Sequence, residues 1–368
     1  MKSIKVYLQY PWKFPDSPYY KYLVENPPKG IKYLNAEKQR GAITSKRLFW
    51  LSNFLKRSIR KFFSLLKISI PNVHLSPKEN YDLIHCAHCL SKNLDKPWVA
   101  DIEGIWQFYI ENKTEKVKKK VKEILLRENC KKIMPWTQAT AKEIIKEFPE
   151  IKSKIEIVYP AVPLPKYKKI KHNEINLLFV ARYFYAKGGL ETLEAFDYLT
   201  KKYNNVNALF VSQVPKDFLK KYENNKKIKF YNLMPQDKLV KEIYPKADIF
   251  VYPGYSDSFG FALLEAMSFG LPIVTVDAFA RKEIVEDGKN GFVIDKPKIE
   301  WDKDKPVIKE KDRQRLIRNI IKKTSLLIEN KKLRERIGKA GFKQVSQGKF
   351  SIKERNKKLR RIYKEALR

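Results

Sequence analysis

Cysteine is nearly missing: Cys86, Cys89 and Cys130 are the only three in 368 residues. Three unevenly spaced thiols exclude a secreted disulfide framework and fit a cytosolic compartment. Cys86 and Cys89 form a C-x-x-C, but a zinc site needs two further ligands and no second pair exists. His85 and His88 lie too close in sequence for one tetrahedral site to take all four easily, so the thiols read as buried and inert. No apolar run approaches the ~20 residues of a membrane span. The chain opens on a strand pattern, with no signal peptide. Acids are scarce as well, 41 Asp+Glu against 77 Lys+Arg, for a formal charge of +36. That excess predicts attraction to polyanions such as nucleic acid, anionic lipid or phosphorylated small molecules. The lysines are spread along the chain, no nucleic-acid reading motif accompanies them, and part of the excess fits heat-adapted lysine usage.

What is present is enough apolar material, 43% of the residues, for two domain cores. The most informative stretch is 248–294. It opens with Ile249-Phe250-Val251-Tyr252, a short apolar run closed by Pro253-Gly254, which predicts a buried strand and a turn. Ser256, Asp257 and Ser258 then read as caps for a helix carrying Phe259, Leu263, Leu264 and Met267 on one face. A strand, a polar turn and a helix in that order aim backbone N–H groups and a positive dipole at the turn, where a phosphate fits. Glu265 sits inside an apolar run, where a carboxylate needs hydrogen-bond partners. Hydroxyls of a sugar or ribose would supply them. The plainer alternative is an N-cap at Asp257 and a solvent-facing Glu265.

Asp257-x7-Glu265, the enclosed Ser-Phe-Gly-Phe-Ala-Leu-Leu, and the following Ala-Met-Ser-Phe-Gly-Leu-Pro-Ile-Val resemble the E-x7-E signature of retaining glycosyltransferases of the glycogen-synthase-like group. The resemblance continues through Arg281-Lys282-Glu283-Ile284-Val285, where the family has G-G-x-x-E-I-V. In this chain Asp257 replaces the first Glu, shortening the acid's reach, and Phe279-Ala280 replaces the glycine pair of a tight turn. The resemblance implies an α/β protein of GT-B architecture, two Rossmann-like doubly wound domains facing across a cleft.

It also implies an organisation: an acceptor-side domain over 1–160, a Pro- and Lys-rich linker over 161–174, a nucleotide-sugar domain over 175–350, and a last helix, 351–368, packing back on the first domain. In the second domain the strand 176–181 delivers Arg182, and Lys187-Gly188-Gly189 opens a helix. Two cations and two glycines at a strand-to-helix turn suit a pyrophosphate, and the segment resembles the family's V-G-R-x4-K-G. Arg182, Lys187, Gly188, Ser258, Phe259, Gly260 and Phe261 are thereby expected to bind the donor. Glu265 is expected to hold its ribose and Asp257 its sugar. In the first domain His85, in a segment similar to D-V-I-H-A-H, and Glu103, at the position where relatives carry a histidine, are candidate catalytic groups. The aromatic loop over 9–20, with no glycine before Gly30, stands where the family has a glycine-rich turn and is a candidate for stacking an acceptor sugar.

Further expectations complete the reading. Strands are expected over 132–136 and 155–159 and a helix over 236–244. Asp302-Lys303-Asp304 superficially matches D-x-D, but reads as a solvated loop. No metal is required, because cations and a helix dipole neutralise the donor. The partners expected are a nucleotide-sugar donor and a glycan or lipid-linked acceptor, with no specific nucleic acid. Residues 45–67 place Leu48, Leu51, Leu55, Ile59, Phe62 and Leu66 on one helical face and Lys46, Arg47, Lys56, Arg57, Arg60, Lys61 and Lys67 away from it, with no acidic residue in the stretch, the pattern of a helix lying on an anionic membrane surface; an ordinary domain helix is the alternative. Two other functions stay open at this point: a nucleotide-sugar epimerase of the same fold, and a non-enzymatic protein that binds polyanions or membranes.

Overall fold

The computed structural model describes residues 3–10, 18–36, 54, 58, 70–111, 113–303 and 305–368. The helix expected over 45–67 lies outside the described residues, apart from Phe54 and Ser58, as does the loop over 11–17. The chain divides into two compact units, Met1–Ala161 with Ile352–Arg368, and Val162–Ser351.

The first unit is built on five parallel strands, β1 (Ile4–Gln9), β2 (Ile31–Leu34), β3 (Leu83–Ala87), β4 (Trp98–Ile102) and β5 (Cys130–Pro135), in the order β2-β1-β3-β4-β5. Every residue of β3 and β4 is buried, as expected of central parallel strands covered on both faces. Among the helices α1 (Pro18–Glu25), α2 (Glu115–Leu126) and α3 (Gln138–Glu147), α2 buries Val117, Val121, Ile124 and Leu125 at three- and four-residue spacing. Thr114 and Thr137 cap α2 and α3, their hydroxyls accepting from Val117 N–H and Thr140 N–H. The segment 155–159 is not a strand. It makes one isolated bridge, Ile133 to Ile155, and follows β5 through Glu156 N–H to Ile133 and Val158 N–H to Pro135.

The last helix, Ile352–Ala366, belongs to this unit. Its inner face, Arg355, Leu359, Ile362, Tyr363 and Ala366, is buried. The Tyr363 hydroxyl lies 2.7 Å from His85 Nδ1 and 2.9 Å from the Tyr33 hydroxyl.

The second unit carries six parallel strands, β6 (Ile175–Ala181), β7 (Val206–Ser212), β8 (Ile228–Tyr231), β9 (Ile249–Tyr252), β10 (Ile273–Val276) and β11 (Gly291–Ile294), ordered β8-β7-β6-β9-β10-β11. This is a doubly wound sheet whose order reverses between β6 and β9. Ligands of such sheets bind at the carboxyl ends of the strands at that point. Its helices are α4 (Gly189–Lys202), α5 (Lys216–Lys221), α6 (Phe261–Ser268), the single turn α7 (Arg281–Ile284), α8 (Glu310–Glu329) and α9 (Lys331–Ser346).

Two local expectations are corrected. Regular α-helix in 236–244 is confined to Gln236–Lys238, and the chain continues as wider and tighter turns to Lys246. Pro245, with no N–H to donate, stands in the last of these. The acidic loop around Asp302 is an exposed hairpin, Glu300–Asp302 with Lys305–Val307. The Pro- and Lys-rich stretch after Ala161 is tied to the second unit, through Ile170 N–H to Pro245 C=O at 2.8 Å and Lys169 to Asp248 at 2.8 Å.

Candidate functional site

At the reversal point the loops leaving β6 and β9 are stitched together. Gly254 N–H donates to Lys187 C=O and Tyr255 N–H to Ala186 C=O. The approach is close enough to require glycine at 188: φ is +72°, and a Cβ there would stand 2.8 Å from Pro253 Cβ. Arg182 directly follows β6 and is half-buried. Lys187 Nζ donates to Ser256 C=O and lies 3.6 Å from Asp257 Oδ1. Lys187 and the first acid of the motif therefore meet beside the carboxyl ends of two adjacent strands, and Arg182 directly follows one of those strands.

Asp257 is not a helix cap. The helix begins at Phe261, its N-cap is Gly260 with φ +95°, and no side chain caps it. Residues 253–260 instead form an irregular loop, in which Asp257 Oδ2 accepts from the Tyr252 hydroxyl at 2.8 Å and from Arg281 Nη2 at 3.1 Å. Burial alone would push the Asp257 carboxyl up. Lys187 and Arg281, with the Tyr252 hydroxyl, outweigh it and hold the carboxyl below its usual range, so the acid is ionised at neutral pH. The tyrosine moves the opposite way, pushed well up by burial and by the neighbouring carboxylate.

Glu265 lies on α6 and is buried. Its Oε1 accepts from Gln236 Nε2 and its Oε2 from the Tyr244 hydroxyl at 3.0 Å. The partners that a carboxylate in an apolar run requires are thus supplied by the segment before β9, which sequence spacing did not reveal. Of the other residues expected at the donor, Ser258 and Phe261 are half-buried. The Phe259 ring is packed in the core, 5.3 Å from Phe261 and 6.2 Å from Phe350, and is not available to a ligand. Phe279-Ala280 keeps a tight turn without glycine, because Phe279 itself takes φ +50°.

In the first unit His85 is 0% exposed, with Nδ1 against Tyr363 and Nε2 3.3 Å from Asp101 Oδ2. It is a buried histidine held between the Tyr363 hydroxyl and the Asp101 carboxylate. Its burial follows from position: His85 is mid-strand in a sheet covered on both faces. His88, just past the end of β3, is the half-buried one. It has φ +59°, its ring packs edge-on against Tyr20 and Trp136, and its buried Nε2 has no hydrogen-bond partner among the described residues. Asp101 joins the two, 3.3 Å from His88 N–H and 2.5 Å from the Tyr20 hydroxyl. Burial would raise its carboxyl, but the facing histidines and the tyrosine bring it below the usual range. Glu103 follows β4 and is half-buried, its N–H held by Gln107 and its C=O by Thr140. Cys86, Cys89 and Cys130 are buried free thiols, and burial pushes Cys86 and Cys130 upward, Cys130 to about 12. Among the described residues no group of three potential metal ligands occurs, and no helix is long and apolar enough to cross a membrane.

Residues 164–323 match the family of glycosyl transferases group 1. An uncharacterized glycosyltransferase of Haemophilus influenzae is 30% identical over 200 residues, covering 53% of this chain and 56% of that protein. The chain spans about half the length of the curated relatives it matches. Among solved structures, a glycosyltransferase from Rickettsia africae superposes with a TM-score of 0.67 at 15% identity, covering 100% of this chain and 99% of that one. Anabaena Alr3699/HepE, solved in complex with UDP and glucose, gives a TM-score of 0.58 at 15% identity over 98% of this chain and 99% of that one. The fold is GT-B, with two Rossmann-like units.

Proposed function

Residues 164–323 match the glycosyl transferases group 1, and from that premise we propose that the protein moves a sugar from a nucleoside-diphosphate sugar to an acceptor hydroxyl with retention of anomeric configuration. The observation that carries the proposal is the contact of Lys187 with Asp257 at the reversal point of the second sheet, where Arg182 also leaves its strand. Charge develops on the departing diphosphate, and fixed cations in a partly dry site stabilise it most effectively. Arg182 and Lys187 supply them. Lys187 contacts both the Asp257 carboxylate and the loop carbonyl of Ser256, so one ammonium links the sugar-side acid to the phosphates. The N-terminus of α6 adds its dipole. Glu265, held by Gln236 and Tyr244, is the acid proposed to accept from the ribose hydroxyls with its remaining lone pairs. With the diphosphate neutralised by side chains, turnover needs no divalent ion.

UDP bound to a solved structure of this fold favours a uridine donor as the first to test. Thermal-shift titration with UDP, GDP and ADP is expected to select one nucleotide, unchanged by EDTA. Arg182→Ala is expected to weaken that nucleotide by about 10- to 100-fold, the worth of one charge-assisted contact. Loss of the shift on chelation would remove the metal-independent site, and equal affinity of the variant would remove Arg182 from it. The acceptor is proposed to be lipid-linked or held at an anionic membrane surface, with 45–67 as the docking segment; its leucine stripe, its many cations and its lack of any acidic residue support this.

A further inference from the structure

Arg281 has no part in the family pattern, where its position is one of the unspecified ones, yet it is 0% exposed and among the largest fully buried side chains in the chain. Its guanidinium donates from Nη1 to Phe259 C=O at 3.0 Å and from Nη2 to Asp257 Oδ2 at 3.1 Å. It stacks 5.2 Å from the centroid of the Tyr252 ring. One side chain thereby ties the end of β9, the acid and the last turn before α6 to the start of α7. The surroundings leave it no slack. A Cβ on Gly254 would lie 2.8 Å from Nη2, and one on Gly260 would lie 2.6 Å from Nη1 and 3.1 Å from Asp257 Oδ2.

We infer that Arg281 is a positioning residue that sets the length of the acid at 257, so that the guanidinium and the aspartate form a matched pair and the family's usual glutamate does not fit here. Asp257 Oδ2 is fully engaged by Tyr252 and Arg281, which turns Oδ1 toward Lys187. A glutamate at 257 adds one CH2, and with the loop held the carboxylate has to move by about 1.5 Å. The space on the Oδ2 side is taken by the guanidinium and the Gly260 backbone. Moving the other way displaces Lys187. The substitution of Asp for Glu in the motif and the buried arginine are then one feature: shortening the acid makes room for a cation that holds it. A lysine at 281 keeps the charge and retracts the bulk, which restores the space a glutamate needs.

The catalytic consequence rests on the transferase reading; the pairing itself does not. Four proteins test it: wild type, Asp257→Glu, Arg281→Lys and the double variant. They are assayed for hydrolysis of UDP-glucose and UDP-N-acetylglucosamine, in which water takes the sugar and UDP is released, and for the urea midpoint of unfolding. Each single variant is expected to lose about 10- to 100-fold in kcat, the effect of a misplaced reacting group, with KM changed far less. Each is also expected to unfold at lower urea. The double variant is expected to recover both kcat and midpoint rather than sum the two losses, since distant independent changes add to within about twofold. Wild-type turnover in Asp257→Glu alone, or additive losses in the double variant, overturns the inference. If wild type releases no UDP from either donor, the donor assignment fails. The urea midpoints still decide the pairing: recovery in the double variant supports it and additivity overturns it. If Arg281→Lys does not fold, folding of the double variant is itself the recovery.

Discussion

Phe279 carries a backbone angle that most residues avoid, φ +50°, with its ring 62% exposed. In this region an L-residue sets its Cβ against its own carbonyl at a cost of about 1–2 kcal/mol, while glycine costs about 0.5–1 kcal/mol in added freedom of the unfolded chain. Phe279→Gly is therefore expected to stabilise the protein by about 0.5 kcal/mol in urea unfolding. A loss of more than about 1 kcal/mol would mean that the ring holds something in place. The sequence showed the departure from the glycine pair but not its resolution, because nothing in a residue name reveals that the turn is kept and the strain accepted. At Asp257 the departure from the family's glutamate was visible in the sequence, while its partners Tyr252 and Arg281 were not. Contacts across 5 and 24 residues are decided by the packing of three loops, and no periodicity encodes them. His85 and His88 differ for a simpler reason: three residues along one strand separate a buried core position from its tip.

At the scale of elements, strands and helices with strong apolar patterns were readable. β9 falls on the run 249–252, α2 follows Thr114, and α3 follows Thr137. The start of α6 was not, since three good capping residues in a row are used in a loop and the helix begins behind a left-handed glycine. The last helix shows what local pattern leaves out. Its apolar stripe marks a buried face, but which unit it covers follows from polar contacts such as Tyr363 with His85 and Tyr33, and Arg355 with the carbonyl of Asn26 at 2.8 Å. Tyr363→Phe removes a hydroxyl shared by two buried partners and is expected to cost about 1–3 kcal/mol. Because that helix belongs to the first unit and the proposed nucleotide site to the second, affinity for the nucleotide is expected to stay unchanged. Denaturation alongside calorimetric titration of the same variant checks both halves. A loss of nucleotide affinity equal to the loss of stability would show that the helix takes part in binding.

Over the whole molecule, the two parallel sheets are ordered 2-1-3-4-5 and 3-2-1-4-5-6, topologies whose ligands bind at strand ends, and a net charge of +36 favours the approach of anions. At about 1 kcal/mol per basic residue near an anionic surface, the cations of 45–67 would retain the protein on vesicles at low salt. Co-sedimentation with vesicles of graded anionic content is expected to rise with that content and to fall for Arg57→Glu/Arg60→Glu/Lys61→Glu. Equal pelleting of both proteins would remove the docking role of that segment. The central claim, glycosyl transfer through the Arg182, Lys187 and Asp257 site, is tested most directly by release of nucleoside diphosphate from its nucleotide sugar, wild type against Arg182→Ala at saturating donor. The expected result is turnover in wild type and a drop of about 100-fold in the variant, the effect of losing one preorganised charge at the leaving group. Equal turnover in both, or none in wild type with any nucleotide sugar, would contradict it.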